Sequence, residues 1–344
     1  MMKLLITGGA GFMGSNFIRY ILKKYPDYKI TNLDKLTYAG NLENLRDIDP
    51  TPFSKKEGVE KNPNYKFVKG DICDEKITDS LAKDADIIIN YAAETHVDRS
   101  IMNPREFAMT DVIGTQTLLE AAKKYKHPLY VQISTDEVFG SVESGKFTEE
   151  SPFLPNSPYA ASKAGGDLLC RAYAITYKMP IIVTHSCNFF GQYQYPEKFI
   201  PLFITNLLEG KKVPLYGKGG NIREWIYTQD HCSAIDFILH HGKAGEVYNI
   251  GTGWEKTNLE ITKLILGALG KGESQIEFVK NRPAHDWRYS LDSSKLRSLG
   301  WKPKYEFKDA LLETIKWYKN NENWWKPLKS GDYLKYYEEQ YKNR

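Results

Sequence analysis

The stretch "KLLITGGAGFMGSNFI", residues 3–18, decides the fold. An apolar run, Lys3–Thr7, passes through a glycine cluster into an amphipathic stretch, Asn16–Lys24. Gly9, Gly11 and Gly14 satisfy G-x-G-x-x-G, while Gly8, Gly11 and Gly14 satisfy a related spacing of three. Such glycines allow a tight strand-to-helix turn and the close approach of a pyrophosphate, which the first amides of the helix stabilise. The pattern predicts a dinucleotide cradle, with Gly8, Gly11, Phe12, Met13 and Gly14 facing the cofactor. Asp34 follows Gly14 by twenty residues, at the end of a second predicted strand, Lys29–Leu33. A carboxylate there accepts hydrogen bonds from both ribose hydroxyls and repels a 2′-phosphate, which favours NAD over NADP. Lys35 and Thr37 continue the same region, and "GDICD" places Asp71 and Ile72 near an adenine.

Outward from this turn, predicted strands alternate with helical patterns. Tyr65–Lys69, Ile87–Tyr91, Leu129–Ser134 and Ile181–His185 read as strands; Ile77–Ala82, Gly114–Tyr125 and Tyr159–Tyr177 read as helices. The alternation predicts an α/β protein, a Rossmann-type doubly wound parallel sheet, with "EVYNIGTG" returning to it as a further buried strand. Residues 1–187, with a returning segment at about 224–253, are expected to form the NAD-binding domain. Residues 188–223 and 254–344 are expected to form a smaller mixed α/β domain that binds substrate. Asp49–Asn64, polar and with three prolines, reads as a loop. The aromatic tail (Trp324, Trp325, Tyr333, Tyr336, Tyr337) is interrupted by Glu338 and Glu339 and reads as a packed helix rather than a base-stacking surface.

Composition excludes several function classes. The net charge of +4 arises from 47 basic and 43 acidic residues mixed along the chain, with no block suited to nucleic acid. The four cysteines form no C-x-x-C pair, and their scatter predicts free thiols in a reducing compartment. The seven histidines offer no H-E-x-x-H, so no metal is expected. The amino terminus reaches its glycines too soon for a signal peptide, and no apolar run approaches a membrane span. The cytoplasm is the expected location.

Two stretches carry chemistry. "SPYAASKAG", residues 157–165, puts Tyr159 and Lys163 on one face at a helix start. A phenol has a pKa of about 10, and bringing it toward 7 takes about 4 kcal/mol of differential stabilisation, which a lysine and an oxidised nicotinamide would supply. "QISTDEVFG", residues 132–140, sets Thr135, Asp136 and Glu137 at the mouth of a buried strand. A strict strand would point these neighbours to opposite faces, so the backbone must turn there.

These motifs, with "LDKLTYAGNLENL", "AAETHVDRSI", "YPEKFIPL", "YGKGGNIREWIYTQDHC", "YNIGT" and "NRPAHDWRY", resemble the nucleotide-sugar 4,6-dehydratases among the extended short-chain dehydrogenases/reductases. The resemblance runs nearly end to end and implies a nucleotide-diphosphate hexose as substrate, oxidised at carbon 4, dehydrated across carbons 5 and 6, and re-reduced at carbon 6. It implies Tyr159 and Lys163 as the oxidising pair, Thr135 as their helper, Glu137 as base and Asp136 as acid. It further implies cofactor contacts from Ala92, Ala93 and Thr110, and substrate contacts from Thr95, Asn188, Glu197, Lys198, Arg223, Asn258 and His285. Thymidine and uridine differ by one methyl group, and no residue distinguishes them; sugar pathways such as that to rhamnose favour thymidine. A sister epimerase or decarboxylase would share the glycine loop and Tyr159–Lys163 but would not use both acids. Phe189 and Trp287 depart from the family pattern, replacing a frequent asparagine and arginine. Relatives pair two long helices per subunit, which implies a homodimer through a four-helix bundle of Asp111–Tyr125 and Tyr159–Tyr177.

Overall fold

A computed structural model describes residues 1–51, 60–281, 283 and 285–341. Among the described residues twelve strands follow in order: β1 (Lys3–Thr7), β2 (Lys29–Asp34), β3 (Tyr65–Lys69), β4 (Ile87–Asn90), β5 (Leu129–Thr135), β6 (Ile181–Ser186), β7 (Asn188–Phe190), β8 (Val213–Tyr216), β9 (Ile222–Tyr227), β10 (Val247–Ile250), β11 (Glu255–Thr257) and β12 (Ile276–Val279). Seven of them form one sheet in the order β10-β6-β5-β4-β1-β2-β3, parallel at every pairing. Its inner strands are short apolar runs such as "IIIN" in β4, buried along its length, as a parallel sheet covered on both faces requires, while the edge strand β3 is only partly buried. Strand order reverses between β1 and β4, which opens a crevice at the carboxyl ends of those strands.

Helices α1 (Phe12–Lys24), α2 (Glu75–Ala82), α3 (Val97–Met102), α4 (Pro104–Ala108), α5 (Thr115–Tyr125), α6 (Pro158–Thr176), α7 (Phe199–Leu208) and α8 (Thr228–His241) follow in chain order. Helix α1 packs with α8, whereas α2 and α6 both pack against α5. Helix α1 begins four residues earlier than its apolar periodicity predicts, because Gly14 and Ser15 mask the onset. Gly11 is its N-cap, and no side chain caps it. Helix α6 starts on stronger local signals: Pro158 occupies the first turn, and Ser157 Oγ accepts from the Ala160 amide at 3.1 Å. Between α4 and α5 the backbone forms a π-helical turn, Met109–Gly114.

Beyond β6 the chain builds a second core around Phe190, Phe203, Trp225, Ile261, Leu311 and Trp325. There β7, β9 and β11 form a three-stranded sheet and β8 pairs with β12. The returning segment expected from about residue 224 therefore enters the large sheet only at β10. Strand β9, with Glu224–Tyr227, belongs to the smaller sheet, and Trp225 and Tyr227 face its core. A buried strand can serve either sheet, and local pattern does not say which. Only the two ends of the predicted loop 49–64 are described; an ion pair between Lys61 and Asp49 at 2.9 Å ties them together. The aromatic tail folds as helices, with Trp325 fully buried.

Candidate active site

The crevice is a cavity of about 260 Å³ above the carboxyl ends of the central strands. Gly8 adopts a left-handed φ of 68°, and its carbonyl accepts from the Gly11 amide at 3.1 Å. A Cβ on Gly14 would sit 2.4 Å from the Gly8 carbonyl oxygen and 2.7 Å from Gly9 Cα. The set 8, 11, 14 thus shapes the turn, while Gly9 is held behind it by Asn32, whose Oδ1 accepts from the Gly9 amide at 3.0 Å. Asp34 is 8% exposed and lines the cavity; its carboxylate accepts from the amides of Ala10 (2.9 Å) and Leu36 (2.8 Å). Burial raises its pKa, and those two amides oppose the rise. Lys35 turns toward Asp71 at 2.8 Å, and this pairing, with the Cys73 amide, holds Asp71 below the usual carboxylate range despite partial burial. Phe12, Met13, Thr37, Ile72, Ala92, Ala93 and Thr110 line the same cavity.

At the other end of the cavity, β5 stops at Thr135 and the backbone turns into a 3₁₀ turn, Asp136–Phe139. The Thr135 hydroxyl accepts from the Glu137 amide at 3.3 Å and lies 3.3 Å from Asp136 Oδ1. This turn brings Thr135, Asp136 and Glu137 into one cavity with Tyr159 and Lys163. Asp136 is 1% exposed, and burial pushes its pKa well above 3.8, helped by the charges of Glu137 and Glu224 and opposed by Arg223. Lys163 donates to the Ile133 carbonyl at 2.8 Å, tying α6 to the end of β5.

In the protein alone, burial, with the charges of Glu137 and Asp111, drives the pKa of the Tyr159 phenol well above 10; the fall toward 7 is expected of the pair with an oxidised nicotinamide beside it. The reason is physical: the nearby protein charges are predominantly negative, and the Lys163 ammonium is engaged with a carbonyl. Two carboxyls that sequence reasoning passed over sit beside the pair. Glu94 lines the cavity, and burial and Asp111 push its pKa up to about 7. Asp111, on the π-helical turn, accepts from Ser162 Oγ at 2.6 Å, and burial raises its pKa to about 7 against the pull of Lys163. Their adjacency to Thr95 and Thr110 was the available signal.

A second cavity of about 170 Å³ adjoins the first; Thr95, Glu137, Asn188, Phe189, Glu197 and Lys198 line both. Arg223, Asn258 and His285 line only the second. Arg223 donates to the carbonyls of Ile222 (2.8 Å), Asp286 (2.9 Å) and Trp287 (3.3 Å) and stacks its guanidinium 4.2 Å from the Tyr289 ring centroid. It holds the 286–289 segment as well as facing the cavity. Of the two departures, Phe189 packs its ring 4.6 Å from the buried His231, and Trp287 is 53% exposed. Among the described residues no cluster of His, Cys, Asp or Glu is arranged to hold a metal, and no helix is long and apolar enough to cross a membrane. The four cysteines are free thiols.

A Rossmann-type sheet whose crevice holds a Tyr–Lys pair and an acidic turn defines a short-chain dehydrogenase-like architecture. The chain belongs to the GDP-mannose 4,6 dehydratase family, whose model matches residues 5–314. A dTDP-glucose 4,6-dehydratase of Streptomyces niveus is 49% identical over 336 residues, covering 96% of this chain and 97% of that protein. A low-salt glycan biosynthesis protein of Haloferax volcanii is 50% identical over 317 residues, covering 92% of this chain and 98% of that protein. The crystal structure of a dTDP-glucose 4,6-dehydratase from Streptomyces venezuelae with NAD bound superposes with a TM-score of 0.89. It is 49% identical and covers 95% of this chain and 100% of that one.

Proposed function

We propose that this chain is an NAD-dependent carbon–oxygen lyase that converts dTDP-glucose to its 4-keto-6-deoxy product. The observation that carries the reading is the turn that sets Thr135, Asp136 and Glu137 in one cavity with Tyr159 and Lys163. Similarity of almost half the sequence to enzymes of that name supports it.

The cavity fits NAD. A glycine cradle that a Cβ would fill faces the start of α1, and the Asp34 carboxylate stands at the end of β2. NAD held there would supply a reversible hydride acceptor, for removal of hydride from carbon 4 and its return at carbon 6. Tyr159, with Thr135, takes the proton of the 4-hydroxyl; Lys163 provides the positive charge that offsets the acidic surroundings. The carbon-4 ketone acidifies the proton on carbon 5, which Glu137 removes and, once hydride has reached carbon 6, returns to carbon 5. Asp136, whose pKa burial and the Glu137 charge raise, gives its proton to the departing 6-hydroxyl. Thr95 and Glu197 face the sugar, and Asn188, Lys198, Arg223, Asn258 and His285 hold the nucleotide diphosphate in the adjoining cavity. In this division residues 1–187 with β10 carry the cofactor and the smaller core carries the nucleotide sugar.

The enzyme works in the cytoplasm, in deoxysugar synthesis, as a homodimer. Exposed Ile113, Leu168, Ile175 and Tyr177 on the two segments Asp111–Tyr125 and Tyr159–Tyr177 support pairing through a four-helix bundle. Since hydride returns within each turnover, NAD stays bound, and protein purified without added cofactor releases NAD on denaturation. Incubation of that protein with dTDP-glucose and, separately, UDP-glucose tests the function: keto-sugar forms from the first without added NAD. Absence of keto-sugar from both would overturn the reading. Sedimentation as a monomer at micromolar concentration would remove the dimer.

A further inference from the structure

Arg99, on α3, lines neither cavity but is paired with Glu197, which lines both. Its Nε and Nη2 both reach Glu197 Oε2 at 2.9 Å. The guanidinium carbon lies 3.9 Å from the ring centroid of Tyr38 and 4.2 Å from that of Tyr336. Tyr38 lines the cofactor cavity; Tyr336 lies on the C-terminal helix, Asp332–Tyr341. One cation is therefore sandwiched between a cofactor-side ring and a ring from the far end of the chain. Such a flat stack suits a guanidinium, whose planar fork is fixed once both faces are covered.

The fork engages one oxygen of Glu197, whose side chain is 1% exposed. The other oxygen, Oε1, is buried and makes no hydrogen bond of good geometry among the described residues; the Tyr38 hydroxyl, likewise without a partner, is the protein group close enough to interact with the carboxylate. An ionised carboxylate oxygen accepts hydrogen bonds only, and leaving it unsatisfied in a buried site is costly. Glu197 lines both cavities, so a donor arriving there meets it. The C-terminal helix also acts on the chain just before Glu197: Tyr333 donates to the Pro196 carbonyl at 3.3 Å. The Tyr336 hydroxyl lies 3.2 Å from His96 Nδ1, on a residue lining the second cavity.

We propose that Arg99, clamped between Tyr38 and Tyr336, is a positioning residue that aims Glu197 Oε1 at a hexose hydroxyl, making the C-terminal helix part of the sugar site. This rests on the reading that Glu197 touches the sugar. Tyr336 acts at a distance from the substrate, through the angle at which Arg99 holds the carboxylate, and Tyr333 acts through the Pro196 carbonyl just before Glu197.

The test measures KM and kcat for dTDP-glucose, released NAD and Tm in Glu197→Gln, Tyr336→Leu, Tyr336→Phe and Arg99→Lys. Glu197→Gln, Tyr336→Leu and Arg99→Lys each raise KM about tenfold, with NAD content as in the parent. Tyr336→Phe keeps the ring over Arg99 and returns KM to within about twofold, a rescue that general destabilisation would not produce. Wild-type KM in Glu197→Gln would remove Glu197 from the sugar site, and the proposal with it. Raised KM in Glu197→Gln but not in Tyr336→Leu would overturn the clamp alone. Should Tyr336→Leu fail to fold, Arg99→Lys decides: it keeps the charge but loses the fork and the flat stack, and an unchanged KM refutes the proposal. Equal impairment in Tyr336→Phe and Tyr336→Leu would assign the effect to His96 and refute the stack.

Discussion

In the cofactor cavity the glycine cradle is shaped by main-chain atoms from a few short, local turns: the Gly8 carbonyl, the amides at the start of α1, and the backbone around Ala92 and Asp34. In the adjoining cavity the boundaries are side chains drawn from distant segments, Asn188, Lys198, Arg223, Asn258 and His285, each standing on a different loop or element end. Main-chain geometry tolerates almost no volume at the wrong place, whereas side chains can shift and partly compensate. The first cavity should therefore respond to mutation in an all-or-none way, and the second in a graded way. Between them lies the acidic turn at the end of β5, where the chemistry is concentrated.

The largest effects belong to that junction. Asp136→Asn with Glu137→Gln keeps side-chain shape but removes acid and base, and turnover falls by at least about 100-fold. Hydride still leaves carbon 4, so reduced cofactor accumulates with its near-ultraviolet absorbance while 6-deoxy product nearly disappears. Tyr159→Phe abolishes the absorbance change itself. A double variant that makes product at the wild-type rate would strip both acids of their roles.

The all-or-none character of the first cavity is sharpened at Gly14. A methyl there meets the Gly8 carbonyl and Gly9 Cα, backbone atoms that cannot rotate aside, so Gly14→Ala costs about 1–3 kcal/mol in the loop. Bound NAD after purification falls to a small fraction of the parent's. Asp34→Arg leaves the glycines in place but removes the ribose acceptor together with the carboxylate that holds the Ala10 and Leu36 amides, and NAD occupancy drops less steeply. If both variants retain full NAD, the contrast between the cavities collapses.

The graded character of the second cavity is tested at Arg223. Its donors already serve three main-chain carbonyls, so Arg223→Lys loses fork geometry and loosens the 286–289 segment together. KM for the nucleotide sugar rises about tenfold, while NAD content and the single-turnover absorbance change at saturation stay near wild type. Loss of NAD in this variant would show that the cavities are mechanically one.

This difference also explains what was legible in the sequence. The cofactor half follows from local rules: strand, glycine turn, helix, then Asp34, with Tyr159 and Lys163 one turn apart. The turn at Asp136 follows from the impossibility of pointing three adjacent polar side chains into one cavity from a straight strand. The second cavity was readable only through resemblance, because no spacing rule links Asn188 to His285. Burial was the other blind spot. Glu94, Asp111 and Glu224 carry no sequence signal of burial, yet Asp111 is 1% exposed and Glu224 is pinned by the amides of Gly253 and Leu291 at 2.7 and 2.8 Å. The upward shift of the Tyr159 phenol follows from this burial and from Asp111, with Glu137, and no pattern of residue types announced it. The placement of Tyr336 against Arg99 depends on where the last helix docks, which is a property of the whole fold.

The smallest predicted effect concerns those buried acids and is read in stability. Asp111 has a folded-state pKa of about 7 against an ordinary 3.8, so between those values the folded chain keeps a proton that the unfolded chain has released. The stability it contributes is present in full below about pH 4 and is lost as pH rises through about 7; above that the penalty is constant. Asp111→Asn cannot titrate, yet its amide oxygen still accepts from Ser162 Oγ. From pH 4.5 to pH 8 the parent should therefore lose about 2–4 °C of Tm relative to Asp111→Asn. Lys163 limits the size of the shift because its charge favours the ionised carboxyl, and Glu94, relieved of a like charge in the variant, shifts back toward its ordinary range. Parallel Tm curves for parent and variant across the whole range would mean that Asp111 is ionised in the folded protein, held so by Lys163. In that case the Tyr159 phenol faces a full negative charge, and the positive charge that Lys163 directs at it would be partly cancelled at neutral pH.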